Sequence, residues 1–272
     1  MQGQTQDSST PMLEAYPVPA FSDNYIWLLQ AGADEAFVVD PGDAAPVMRA
    51  LAGSALRLCG ILVTHHHPDH VGGVDDLLCA FGPLPVYGPR TSPAACIDRV
   101  LDDGDCIEVL GQQARVFAVP GHTLDHIAYF FAADGQSPPQ LFCGDTLFAG
   151  GCGRVFEGNP QMMHDSLSRL AALPGETRVY CAHEYTLSNL RFARAVEPDN
   201  LALRDRQLAD EARRERGEPT VPSTIALERE TNPFLRCATP AVRRSAANHG
   251  GTEPNGDHGV FAEIRSWKDT FR

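Results

Sequence analysis

The stretch Thr64-His65-His66-His67-Pro68-Asp69-His70 constrains this chain more than any other. It follows the apolar run Leu56-Arg57-Leu58-Cys59-Gly60-Ile61-Leu62-Val63, which reads as a buried strand. Four histidines and an aspartate therefore sit on one loop where a strand ends. The strand supplies a rigid base, and the loop supplies imidazole and carboxylate donors of the kind that hold a borderline divalent metal such as zinc.

Three more segments repeat the arrangement. Gly121-His122-Thr123 follows the strand Arg115–Pro120, Gly144-Asp145-Thr146 follows Gln140–Cys143, and Ala182-His183-Glu184 follows Arg178–Cys181. Strand ends in one sheet can converge at one edge, so four loops can meet around one site. One tetrahedral ion takes about four donors. Two ions roughly 3.5–4 Å apart, sharing a carboxylate and a hydroxide, use all seven. In this reading His65, His67 and His122 hold the first ion, Asp69, His70 and His183 the second, and Asp145 bridges them. Two divalent cations against two carboxylates and one hydroxide leave a mildly positive site, suited to stabilising an oxyanion. His66, flanked by ligands, is expected to point away. His126, His164, His249 and His258 read as non-ligands. Asp40 admits two readings: an acceptor that orients a ligating imidazole, or a turn-forming aspartate before Pro41-Gly42. Zinc is the first expectation, and iron or manganese also suits the donors.

The remaining composition narrows the class. Of 272 residues 43% are apolar and 21% charged, as in ordinary globular proteins. A net charge of −13, with no basic face, argues against nucleic-acid binding. No apolar run approaches the roughly 18 residues that span a bilayer, so no membrane partner is expected. Residues 1–11 read as a disordered tail without a basic apolar signal, which makes the cytoplasm the default compartment. The eight cysteines form no C-x-x-C pair and are expected to be reduced and structural. Nothing demands more than a monomer.

From Met12 to Cys181 short strands alternate with turns and with helices at Ala44–Leu51, Val74–Ala80 and Met162–Leu173. Sheets covered by helices on their outer faces follow from that pattern. After Tyr185 strand signals stop, and Leu187–Ala195, Asn200–Arg216, Ser223–Glu230, Ala241–Ala247 and His258–Phe271 read as helices. The expectation is an α/β catalytic domain over 12–185 and a small all-α domain over 186–272.

The T-H-x-H-x-D-H run, with His122, Asp145 and His183 after it, resembles the metallo-β-lactamase superfamily. That resemblance implies a four-layer αβ/βα sandwich with metals at one edge. Phe21-Ser22-Asp23-Asn24-Tyr25, Gly151-Cys152-Gly153-Arg154-Val155-Phe156-Glu157-Gly158, His183-Glu184-Tyr185 and Asn232-Pro233-Phe234-Leu235-Arg236 are similar to hydroxyacylglutathione hydrolases, the glyoxalase II enzymes. The resemblance implies hydrolysis of S-D-lactoylglutathione to D-lactate and glutathione in methylglyoxal detoxification, with the helical part contributing glutathione contacts. It places Arg154, Tyr185 and Arg236 against the substrate. Phe156 stands where some members have tyrosine, so that hydroxyl is missing. Asp69 and Asp145 carry the catalytic roles, holding the ions and orienting the hydroxide. A thiolate leaves readily, so no separate general acid is required. The alternative within the superfamily is a persulfide dioxygenase or another glutathione-linked enzyme.

Overall fold

Residue alternation in the second strand shows how the layers are built. Ile26 and Leu28 pack into one apolar cluster and Trp27 and Leu29 into another, all buried. A strand apolar on both faces must lie between two covering layers. The computed structural model describes residues 12–135 and 137–271; the tail expected over 1–11 lies outside the described residues.

The first sheet runs in spatial order β1 (Leu13–Ala20), β2 (Asn24–Ala31), β3 (Glu35–Val39), β4 (Arg57–Leu62), β5 (Val86–Pro89) and β6 (Arg99–Leu101). Helices α1 (Ala44–Ala52), α2 (Pro68–Val71) and α3 (Val74–Phe81) interrupt it. Val47 and Leu51 of α1 and Val74 and Leu77 of α3 cover Ile26, Leu28, Val38 and Ile61 on its outer face. The second sheet holds β7 (Cys106–Val109), β8 (Gln112–Ala118), β9 (Ile127–Phe131), β10 (Gln140–Gly144), β13 (Arg178–Cys181) and β14 (Ser223–Thr224). The hairpin β11 (Leu147–Phe148) and β12 (Gly151–Cys152) and the helix α4 (Pro160–Ala171) come between β10 and β13. Trp27 bridges the sheets: its ring meets Tyr180 edge-on at 4.9 Å, and its indole N–H donates to the Cys181 carbonyl at 3.0 Å. Met163, Leu167 and Leu170 of α4 join the cluster that contains Val116, Tyr129 and Phe142.

The remaining helices are α5 (Thr186–Val196), α6 (Leu201–Glu215), α7 (Ile225–Thr231), α8 (Pro240–Gly250) and α9 (Gly256–Thr270), with a 3-10 turn at Pro233–Leu235. Asn200 caps α6 by accepting from the Leu203 N–H. The sequence puts no strand beyond Tyr185, yet Ser223–Thr224 pairs antiparallel with β13. The pair is too short to show period-2 patterning, and the threonine that ends it also caps α7. Among the described residues no helix is long and apolar enough to cross a membrane.

Candidate metal centre and adjoining cavity

The ligand-bearing loops leave the ends of strands from both sheets. His65, His67, Asp69 and His70 follow β4, while His122, Asp145 and His183 follow β8, β10 and β13. The sheets are stitched together at this edge. Ile127 N–H donates to the Thr64 carbonyl at 2.9 Å, Tyr25 N–H to Ala182 at 2.7 Å, and Glu184 N–H to Asp23 at 2.8 Å. Close backbone approach demands glycine here. A Cβ on Gly153 would lie 1.9 Å from the Asp145 carbonyl oxygen, and one on Gly42 equally close to that of Asp69. Asp40 itself holds a left-handed φ of 52°, a conformation aspartate tolerates better than most residues.

All seven residues assigned to metal from the sequence converge. Ring nitrogens of His65, His67 and His122 form one group, and Asp69, His70 and His183 another. His67 Nδ1 lies 3.1 Å from His65 Nε2 and 3.0 Å from His122 Nε2. Asp145 stands between the groups. Its Oδ1 is 3.5 Å from His70 Nε2 and 3.3 Å from His183 Nε2, while its Oδ2 is 3.4 Å from His122 Nε2.

The donor chemistry fits two cations. His122 Nδ1 donates to the Arg154 carbonyl at 2.8 Å, His70 Nδ1 to Asp40 at 3.0 Å and His183 Nδ1 to Asp23 at 2.8 Å. Each such bond fixes the tautomer and leaves the opposite nitrogen bare toward the centre. His70 Nε2 and Asp145 Oδ1 are buried without a hydrogen-bond partner, and buried polar atoms seldom go unpaired without reason. Burial opposes ionisation of Asp145, but His70, His183 and His122 outweigh it and hold the carboxyl well below the usual range. Burial likewise opposes charge on His183, yet Asp145 and Asp69 raise it to about 10. The carboxylates thus set a field that attracts positive charge to this point, as a divalent cation would satisfy.

Sequence reasoning missed several residues. Asn24 donates to Asp69 Oδ2 at 3.0 Å, and Asp23 anchors His183. Both lie in the Phe21–Tyr25 segment, so the signal was present as a motif without a role. His126 is a non-ligand with a task. Its Nδ1 donates to the Ile127 carbonyl at 3.0 Å, and its Nε2 accepts the Asp145 N–H at 3.1 Å. Burial, with His122 adding, lowers it to about 3, so it stays neutral. His66 turns outward to Asp125 at 3.0 Å and Glu157 at 3.3 Å. Asp40 does both things the sequence allowed: it turns the chain and binds His70 and Thr64.

A cavity of about 500 Å³ opens from His122 and Asp145 toward α5 and α9. Phe156 lies edge-on to His122 at 5.3 Å, and Tyr185 stacks on His183 at 4.7 Å with a 4° interplanar angle. Arg154, Arg265 and Lys268 bring positive charge to the far wall. Lys268 Nζ donates to the Ser188 carbonyl at 3.3 Å, and burial, with Arg265 adding, lowers it to about 8.

Arg236, assigned to substrate from the sequence, does not reach this cavity. It makes a bidentate pair with the buried Glu197, at 2.7 and 3.0 Å, and donates to the Arg229 carbonyl at 2.9 Å. The physical reason lies just before it. Asn232 is buried and tied to the Phe148 and Gly151 carbonyls, and Phe234 is buried, so the motif anchors a turn and Arg236 leaves it on another side. Arg265 and Lys268, an i,i+3 pair on one face of α9, line the cavity instead. Arg236→Ala should therefore leave KM within about twofold and cost ~2–3 kcal/mol of stability, because Glu197 stays buried without its partner. Urea unfolding beside steady-state kinetics separates these; a large rise in KM at unchanged stability would restore the substrate role.

Residues 20–183 match the family model described as metallo-beta-lactamase superfamily, and residues 184–271 match that described as hydroxyacylglutathione hydrolase C-terminus. A hydroxyacylglutathione hydrolase of Cupriavidus taiwanensis is 55% identical over 270 residues, covering 96% of this chain and 100% of the relative. Among solved structures, the BLEG-1 B3 metallo-beta-lactamase has a TM-score of 0.61 at 23% identity, over 82% of this chain and 99% of its own. TTHA1623 in a di-iron-bound form has a TM-score of 0.55 at 26% identity, over 81% of this chain and all of its own.

Proposed function

Because the chain belongs to the hydroxyacylglutathione hydrolases of the metallo-beta-lactamase superfamily, we propose that it cleaves S-D-lactoylglutathione and related 2-hydroxyacylglutathione thioesters to the hydroxy acid and glutathione. The observation that carries this reading is that the seven-residue cluster adjoins, through His122 and Asp145, a cavity that Arg154, Arg265 and Lys268 also line. A thioester seated with its carbonyl at the cluster directs its anionic peptide toward α9.

The residues divide the work. His65, His67 and His122 on one side and Asp69, His70 and His183 on the other would hold divalent ions, which would supply water activation at neutral pH and Lewis acidity. Zinc is the expected metal; the di-iron form of TTHA1623 keeps iron in view. Asp145 holds the two groups in register, and His126 fixes the Asp145 backbone. Asp69, held by Asn24, belongs to the second group and orients the nucleophile. Phe156 and Tyr185 wall the cavity next to the reacting carbon and exclude water. Lys268 and Arg154 grip substrate carboxylates, while Arg265, bonded to the Cys152 carbonyl and Asp269, holds that wall rigid. In this reading residues 12–185 perform the chemistry and residues 186–272 hold the thiol half. The enzyme works as a cytoplasmic monomer.

The test is a pH profile with S-D-lactoylglutathione. Lys268 titrates near 8 instead of its ordinary 10.5, so it is charged below pH 8 and loses its charge above. Since kcat/KM reports the free enzyme's groups, it should fall about tenfold from pH 7 to pH 9, chiefly through KM. Lys268→Arg, permanently charged, should flatten the profile; Lys268→Gln should raise KM below pH 8 and approach the wild type above it. Absence of thioester hydrolysis defeats the functional reading, whereas a profile unchanged in Lys268→Arg defeats only the assignment of Lys268.

A further inference from the structure

Away from the cavity, α4 and α9 meet at a second group of metal-ligating side chains. His164 and Asp165 stand on α4, and His258 lies in the first turn of α9. One ring nitrogen from each histidine and one carboxylate oxygen lie within 4.8 Å of one another. Asp165 Oδ1 is 2.8 Å from His258 Nε2 and 3.8 Å from His164 Nδ1, and the two rings cross at 4.7 Å and 81°. The donors thus surround a point. A tetrahedral zinc with bonds of 2.0–2.1 Å spaces its ligands by about 3.3 Å, between the two separations found here.

Two further observations favour a ligand over a simple ion pair. His164 Nδ1 is buried and has no hydrogen-bond partner; the Asp165 oxygen at 3.8 Å is beyond reach. A packed ring with an idle lone pair is what a metal ligand looks like before binding, and Phe261 at 5.7 Å fixes its plane. The other two side chains are open, His258 at 46% and Asp165 at 60% exposure. An ion can enter from solvent and complete its shell with water.

We propose that His164, Asp165 and His258 form an outer divalent-metal site, selective for borderline ions such as zinc, that staples the start of α9 to α4. From the sequence both histidines read as non-ligands, being far apart in the chain and neither following a strand. Its position gives it leverage. α9 carries Arg265 and Lys268 on one wall of the cavity. α4 packs against the His122 loop on the other, where a Cβ on Gly121 would meet Met163 Cα at 2.8 Å. Filling the outer site ties both walls together while using none of the seven residues of the catalytic cluster.

The experiment starts from the holoenzyme with its catalytic centre already loaded and titrates zinc alone, read by calorimetry and by thermal unfolding. The wild type should take up one further equivalent and melt higher in excess zinc. His258→Ala should take up none, or bind it at least tenfold more weakly, and its melting temperature should ignore excess zinc. Asp165→Asn, also on the surface, should do the same. Both variants should hydrolyse thioester normally at stoichiometric metal. If the wild type takes up no extra ion, or if either variant retains it, the site does not exist. If the variants lose the same stability with and without zinc, the three residues are an ion pair only and the proposal is overturned.

Discussion

Asp145→Ala should lower kcat/KM by at least three orders of magnitude, about 4 kcal/mol of transition-state stabilisation, and should lose bound metal in the same preparation. The carboxylate faces both ligand groups, through different oxygens. Removing it leaves His70 and His183 on one side and His122 on the other with no shared anion, and two cations at short range then repel without screening. Chelation of the wild type should give the same loss, reversed by adding divalent metal, whereas Asp145→Ala should not recover. Elemental analysis beside the hydrolysis assay is the check. A variant that kept both ions and full turnover would show that Asp145 does not bridge.

The largest stability effect is expected at a pair outside the seven-residue cluster. Arg206 and Glu228 are buried, with side-chain exposures of 3% and 0%, and lie 2.6 Å apart. Arg206 also donates to Thr231 at 2.6 Å and Ser223 at 3.3 Å. Glu228 accepts from Gly150 N–H at 2.9 Å and Asn232 Nδ2 at 3.0 Å. The pair therefore joins α6, α7 and β14 to the β11–β12 turn, whose Phe148 packs on His183 and Tyr185. Arg206→Ala leaves a carboxylate in the interior uncompensated and should cost ~3–5 kcal/mol, a fall in Tm on the order of 10 °C. Arg206→Met with Glu228→Gln removes both charges and should recover more than half. Calorimetric melting measures both; a loss under about 1 kcal/mol in Arg206→Ala would mean that water, or a proton taken up by Glu228, compensates the buried carboxylate.

Much of the candidate site could be read from the chain because its residue pattern is written locally. His65, His67, Asp69 and His70 share one loop, and His122, Asp145 and His183 each stand just past a strand whose apolar run marks its end. The sheet-and-helix pattern from Met12 to Cys181 was equally legible. Short elements were not: β14 has two residues and no period, and the bridge from Asn24 to His183 depends on two sheets meeting.

The sequence alone determined the donor set, the sheet-and-helix layering and the helical tail, since each rests on residue type and short-range spacing. Only the tertiary structure decided that Asp23, Asp40 and the Arg154 carbonyl hold the imidazoles. It also turned Lys268 to the cavity and Arg236 to Glu197, and paired Arg206 with Glu228. Long side chains and buried charges take their direction from whatever packs beside them, and those neighbours come from distant parts of the chain.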